Sequence, residues 1–189
     1  MRKHLKFIAL YALWIGGIIY ILGGCQATRT IASPEAVQAL EQQVDSRNLR
    51  IKLDWAMPLT TRGMASVANA GLLPPGNNIA RINLINTPNS FEMRGDSVFI
   101  DLPYFGERQV VSDYPGGKGI NFTGAMENFR SSRDRKDQSY RLTFDTSDRS
   151  ERFDVSLKIF PGQRAILVFY SNQRNTIRYE GTLENPQTE

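Results

Sequence analysis

"ERFDVSLKIFPGQRAILVFY", Glu151 to Tyr170, decides the fold. In its first half Phe153, Val155, Leu157 and Ile159 are apolar, and the residues between them, Arg152, Asp154, Ser156 and Lys158, are polar. A period of two marks a strand with one buried and one wet face. Pro161-Gly162-Gln163 then makes a tight turn. "RAILVFY" is apolar on both faces, which predicts a central, well-covered strand. Strands joined by so short a turn run antiparallel, because parallel neighbours need a longer crossover.

The same signature extends outward in both directions. "NTIRYEGTL" aligns Ile177, Tyr179 and Leu183, and "SYRLTFD" aligns Tyr140, Leu142 and Phe144. "SFEMRGDSVFIDLP" reads as a hairpin. Phe91 and Met93 share one side, Arg94 to Ser97 turn, and Val98, Ile100 and Leu102 return. "IARINLI" puts Ile82 and Leu84 on one face. In "RIKLDWAM", Ile51, Leu53, Trp55 and Met57 point inward against Arg50, Lys52, Asp54 and Ala56, and Pro58 ends the run. Residues 59–78 read as a long loop, with room for a short helical turn, and loops of that length are often functional.

These patterns give about eight to ten short strands around one interior. The expected fold is mainly β: an antiparallel, closed or nearly closed barrel of lipocalin-like shape. A β-sandwich is the alternative. One helix precedes the sheet, over residues 34–47. Ser33 is its N-cap, Pro34 suits the first turn, and Glu35 favours the positive end of the dipole. Val37, Leu40 and Val44 form a narrow apolar stripe. The chain of 189 residues, 41% hydrophobic, suits one such domain over residues 48–184, followed by a tail over 185–189.

The N-terminus reads as an address. Arg2, Lys3 and Lys6 precede an apolar run from Phe7 to Leu22, in the order of a secretory signal peptide. "LGGC" at Leu22 to Cys25 resembles the bacterial lipobox. That resemblance implies removal of residues 1–24 by cleavage between Gly24 and Cys25. It also implies acylation of Cys25 and a lipidated tether over 25–33. The alternative is an uncleaved anchor, for which the run is short against the roughly 20 residues of a bilayer span. The expected location is the bacterial cell envelope, lipid-anchored and facing the periplasm, with the membrane as a partner through acylated Cys25. Residues 26–30 carry no acidic cluster of the kind that directs some lipoproteins to the cell surface.

Composition excludes several chemistries. Formal net charge is +4, yet without Arg2, Lys3 and Lys6 the balance is 20 basic against 19 acidic residues. Charge is therefore no argument for nucleic acid. The single histidine is His4 and the single cysteine is Cys25. A mature chain starting at an acylated Cys25 has no residues for a Ser-His-Asp or Cys-His system, a His/Cys zinc site or a disulfide. No cofactor or metal is expected.

The densest motif is "DLPYFGERQVVSDYPGGKGINFTG", Asp101 to Gly124. "PGGKGIN" does not fit a phosphate loop, because Ser112 and Gly119 stand where that motif needs glycine and Ser/Thr. Pro103 cannot donate a ladder hydrogen bond, so the strand through Leu102 must end, bend or lie at an edge. Tyr104, Phe105 and Gly106 then form either a packed corner or an aromatic ligand cradle at a barrel mouth. "SNQRNTIRYEG" gathers Asn172, Arg174, Asn175 and Arg178, as a polar turn with solvated arginines or as an anion or partner patch. "FRSSRDRKDQSYR" reads as an exposed hairpin loop. Asp101, Glu107 and Asp113 are the carboxylates from which a hydrolase pair would have to be drawn.

"GDSVFIDLPYFGERQ", "GGKGINF" and "SLKIFPGQRAILVFYSNQRNTIRYEGTL" resemble the domain-of-unknown-function family 4251, envelope lipoproteins found mainly in Bacteroidetes. The likeness spans about residues 48–184. It departs at Glu107, where arginine is the expected residue, and along 59–90. It implies a secreted β-rich domain and supplies no catalytic residues. The expectation is a noncatalytic module that binds a small apolar or amphipathic ligand. A structural subunit of an envelope assembly and a carboxylate hydrolase are the alternatives.

Overall fold

The computed structural model describes residues 32–73, 75–109 and 119–184. The signal peptide, Gly24, Cys25, Asp113, Lys118 and the tail 185–189 lie outside the described residues. The elements are α1 (Pro34–Ser46), β1 (Asn48–Pro58), α2 (Arg62–Asn69), β2 (Ile82–Asn83), β3 (Ser90–Arg94), β4 (Ser97–Pro103), β5 (Gly119–Ala125), β6 (Glu127–Arg133), β7 (Tyr140–Asp148), β8 (Glu151–Ile159), β9 (Arg164–Ser171) and β10 (Ile177–Glu184).

Helix α1 starts as the sequence dictates. Ala36 N–H donates to the Ser33 hydroxyl at 3.2 Å, and the helix ends where Arg47 turns left-handed at φ +48°. Val37, Leu40 and Val44 are its buried stripe.

The strands pair antiparallel in the order β5-β4-β3-β1-β10-β9-β8-β7-β6, with β2 appended to β1. The first and last strands of the domain, β1 and β10, are neighbours. The two ends of this order, β5 and β6, are separated in the chain by Met126 alone. One run, residues 119–133, thus lends its first half to β4 and its second to β7. Met126 N–H donates to the Asp96 carbonyl at 2.8 Å where the strand changes partners. Across the seam Phe122 stacks on Phe153 of β8 at 5.3 Å, and Gly124 lies against Thr146 of β7. The result is a nine-strand, nearly closed antiparallel barrel with an N-terminal helix. Among the described residues β6 pairs only with β7, so it is an edge. A register shift between Glu127 and Arg130, with Asn128 at φ +52°, twists that edge, and its exposed arginines discourage further pairing.

The interior is filled with rings. Phe169 meets Phe91 at 6.3 Å, Phe153 at 6.0 Å and Tyr179 at 6.1 Å, each edge to face, and Phe144 lies 6.4 Å from Phe91. Such geometry sets the positive edge of one ring on the negative face of the next. Leu53, Met93, Leu102, Ile120, Leu142 and Leu157 complete the packing, all fully buried.

Three expectations are corrected. First, β1 does not alternate throughout. A bulge between Leu53 and Trp55 slips the register, so Ala56 and Pro58 face the core while Trp55 and Met57 are only half-buried. The bulge is held by the Asn89 side chain, which accepts from Leu53 N–H and donates to the Leu53 carbonyl, both at 3.0 Å. Trp55 is covered instead by the Arg81 guanidinium, 4.0 Å above the ring. Second, β9 is central in order but open on its outer face. Ala165, Leu167 and Phe169 point inward, Ile166 and Val168 are half-buried, and Tyr170 is 50% exposed. Third, the long segment 59–78 contains a capped helix, α2, whose Met64 N–H donates to Thr61 Oγ1 at 3.2 Å.

Candidate functional site

The end of the barrel opposite α1 is where the sequence motifs meet. Strand β1 leaves α1 and reaches that end at Pro58, which pairs with Ile177. There β4 stops at Pro103, and the Pro103 carbonyl accepts from the buried Tyr179 hydroxyl at 2.8 Å. Tyr104 turns back over the rim. Its hydroxyl donates to the Asn175 carbonyl at 2.9 Å and lies 3.1 Å from the Glu107 carbonyl. Gly106 lies under that phenol: a Cβ there would come within 2.5 Å of the Tyr104 hydroxyl. Any side chain there would push the Tyr104 ring off its hydrogen bonds to the rim. The backbone then stitches to the β9–β10 connection. Gln109 N–H donates to the Gln173 carbonyl at 2.8 Å, and Asn175 N–H to the Glu107 carbonyl at 3.1 Å.

Beneath this flap lies a buried ion pair. The Arg174 guanidinium donates to both carboxylate oxygens of Glu151, Nε at 2.6 Å and Nη2 at 2.9 Å. Its Nη1 donates to the Gly119 carbonyl at 2.7 Å. Ser171 adds a hydroxyl to Glu151 at 2.6 Å, and Arg108 stands 3.7 Å away. The guanidinium packs under the Tyr104 ring at 5.1 Å. Burial alone would push the Glu151 carboxyl up, but the hydrogen bonds from Arg174 and Ser171 and the charges of Arg174 and Arg108 hold it below its ordinary value. Burial pushes the Tyr104 phenol up, partly countered by Arg174, and pushes the Tyr179 phenol up much further. Bidentate geometry with the remaining donors satisfied is what lets a charge pair survive away from water.

The fold therefore joins "LPYFGERQ", Gly119 of "GGKGINF", and "SNQRN". Tyr104, Phe105 and Gly106 form a packed corner, with both rings lying against the core. Of the four polar residues expected together, Arg174 and Asn175 belong to this cap. Asn172 instead accepts from Arg152 N–H at 2.9 Å, and Arg178 pairs with Glu180. The solvated-arginine reading fails at Arg174, which is 7% exposed. Among the carboxylates, Asp101 accepts from Asn121 at 2.9 Å and Glu107 from the Thr61 hydroxyl at 2.6 Å. Glu151 was missed. Its signal was phase: it falls on the buried side of the same alternation as Phe153 and Val155, and a carboxylate there requires a cation.

Among the described residues no group of three or more His, Cys, Asp or Glu side chains could hold a metal ion. No described helix is long and apolar enough to cross a membrane. A groove of about 420 Å3 lies on the outer sheet face across β6–β9, beside Tyr170.

A family described as "Domain of unknown function (DUF4251)" matches residues 32–183. The chain is also similar to a solved structure, a DUF4251 family protein from Bacteroides eggerthii, at 13% sequence identity and a TM-score of 0.53. That likeness covers 79% of this chain and 87% of the other. No curated protein matches.

Proposed function

The chain belongs to the DUF4251 family, defined by a domain of unknown function, and from that premise we propose a noncatalytic envelope protein that works by binding at its outer surface. Cys25 is its lipid attachment point and a membrane its anchor. The single observation carrying the surface reading is the filled interior. Phe91, Phe144, Phe153, Phe169 and Tyr179 occupy the space that a carried apolar ligand would need. The polar cap supports the same reading: its guanidinium and carboxylate are committed to each other, and its phenol to backbone carbonyls.

Two measurements test this. Titration with a fluorescent fatty acid should give no saturable one-to-one uptake by the folded protein; saturable uptake would restore the ligand-carrier reading. A photo-crosslinking residue placed at Tyr170 in living cells should yield a discrete adduct. Recovery of free monomer alone, there and at other outer-face positions, would sink surface binding. The anchor has its own check. Cys25→Ala should abolish acyl labelling and leave an unprocessed precursor, and a variant still labelled and cut at the same place would refute it.

A further inference from the structure

The outer groove carries hydrogen-bonding capacity that the fold does not use. Asp145 on β7 stands opposite Asp154 on β8, and Asp154 stands opposite Tyr170 on β9. Glu127 on β6 continues the same row. Like charges directly opposed on neighbouring strands weaken a sheet. Asn128 offsets this in part by donating to Asp145 at 2.6 Å. The next row holds Arg130, Thr143 and Ser156. Among the described residues no hydrogen bond or ion pair engages the side chains of Arg130, Asp154 or Tyr170. Donors, acceptors and an uncovered ring thus line one groove, contributed by four successive strands, β6 to β9.

We propose that this groove binds a segment of an uncharged saccharide chain, with one sugar ring stacked on Tyr170. A cationic ligand would meet Arg130, and an anionic one would meet Asp145 and Asp154. A neutral polyol can use both. Its hydroxyls accept from the guanidinium and donate to the carboxylates, and hydrogen bonds to charged groups are the strong ones. The face of a pyranose that carries only C–H groups suits an exposed aromatic ring, which is apolar in body and polar only at its tip. The groove runs across the sheet and is open to solvent, a shape for part of a chain and not for an enclosed small molecule. This inference rests on the surface-binding reading and names its ligand class.

Calorimetry of the full chain in detergent micelles tests it. The neutral probes are maltohexaose, mannohexaose and N-acetylchitohexaose; a heparin hexasaccharide and spermine are the anionic and cationic controls. At least one neutral probe should bind saturably. Tyr170→Ala and Asp154→Asn should each weaken that binding about tenfold or more, while Tyr170→Phe keeps it. Each variant should still unfold in one cooperative thermal transition, because neither side chain is part of the buried core. The proposal falls if no neutral probe binds, if Tyr170→Ala binds as well as the parent, or if only heparin or spermine is bound. Failure here alongside a discrete in-cell adduct at position 170 would leave surface binding standing and remove the saccharide.

Discussion

Gly181 faces β1 so closely that a Cβ there would lie 2.0 Å from the Lys52 carbonyl oxygen and 2.7 Å from the Leu53 Cα. Both neighbours are backbone, so neither can swing away. Gly181→Ala should lower stability by about 1–3 kcal/mol through forced backbone shifts, read as a drop in the urea midpoint. Glu151→Gln leaves the Arg174 guanidinium buried without its counter-charge, which should cost about 3–5 kcal/mol at neutral pH. A carboxyl held below its ordinary value in the folded state contributes stability above the ordinary carboxylate range, and loses it as acid protonates the folded form. Urea midpoints for parent and Glu151→Gln should therefore converge as pH falls below that range. Midpoints that stay apart by the same amount at every pH would contradict the pairing.

Among the elements, the β6–β7 hairpin carries the other acid-sensitive contact. The Asp137 carboxyl accepts from Lys158 at 2.7 Å and from the Ser139 hydroxyl at 2.5 Å. The Lys158 bond chiefly, with those from Ser139, holds it down to about 2. Its contribution is present above the ordinary aspartate value of about 3.9 and fades as pH drops through about 2. Asp137→Asn should flatten the stability profile within that window, measured by thermal unfolding from pH 5 to pH 2. Most strands here were legible because a half-buried strand writes its period into the chain; β8 alternates faultlessly from Glu151 to Ile159. The register of β1 was not, since its bulge is imposed by Asn89 and accommodated by Gly181, each far away in sequence. Helix α2 hid behind Gly63 and other small residues, and shows itself only through the Thr61 cap and the burial of Met64. The same logic applies to the polar cap. Tyr104 and Gly106 stood out as a corner, but Arg174 read as solvated because its partner begins a different strand. The tight-turn prediction at Pro161 to Gln163 held, with Gln163 at φ +64° supplying the bend.

For the molecule as a whole, Phe169 is the centre of the core, touching Phe91, Phe153 and Tyr179 at once. Phe169→Ala should cost about 3–5 kcal/mol. The loss should appear as a single cooperative transition in calorimetry, because those rings come from β3, β8 and β10 alike. A two-step melt would mean the barrel is two independent halves.

The adjacency of β1 and β10 has a consequence for how the molecule is made. Until β10 emerges from the ribosome, β1 and β9 each present a raw margin, because β10 is the strand that lies between them. Closure waits on the synthesis of β10, since the decisive contacts join the two extremes of the domain. A message cut short before Ile177 would thus yield a sticky, open sheet prone to clumping and not a weakened version of the finished barrel.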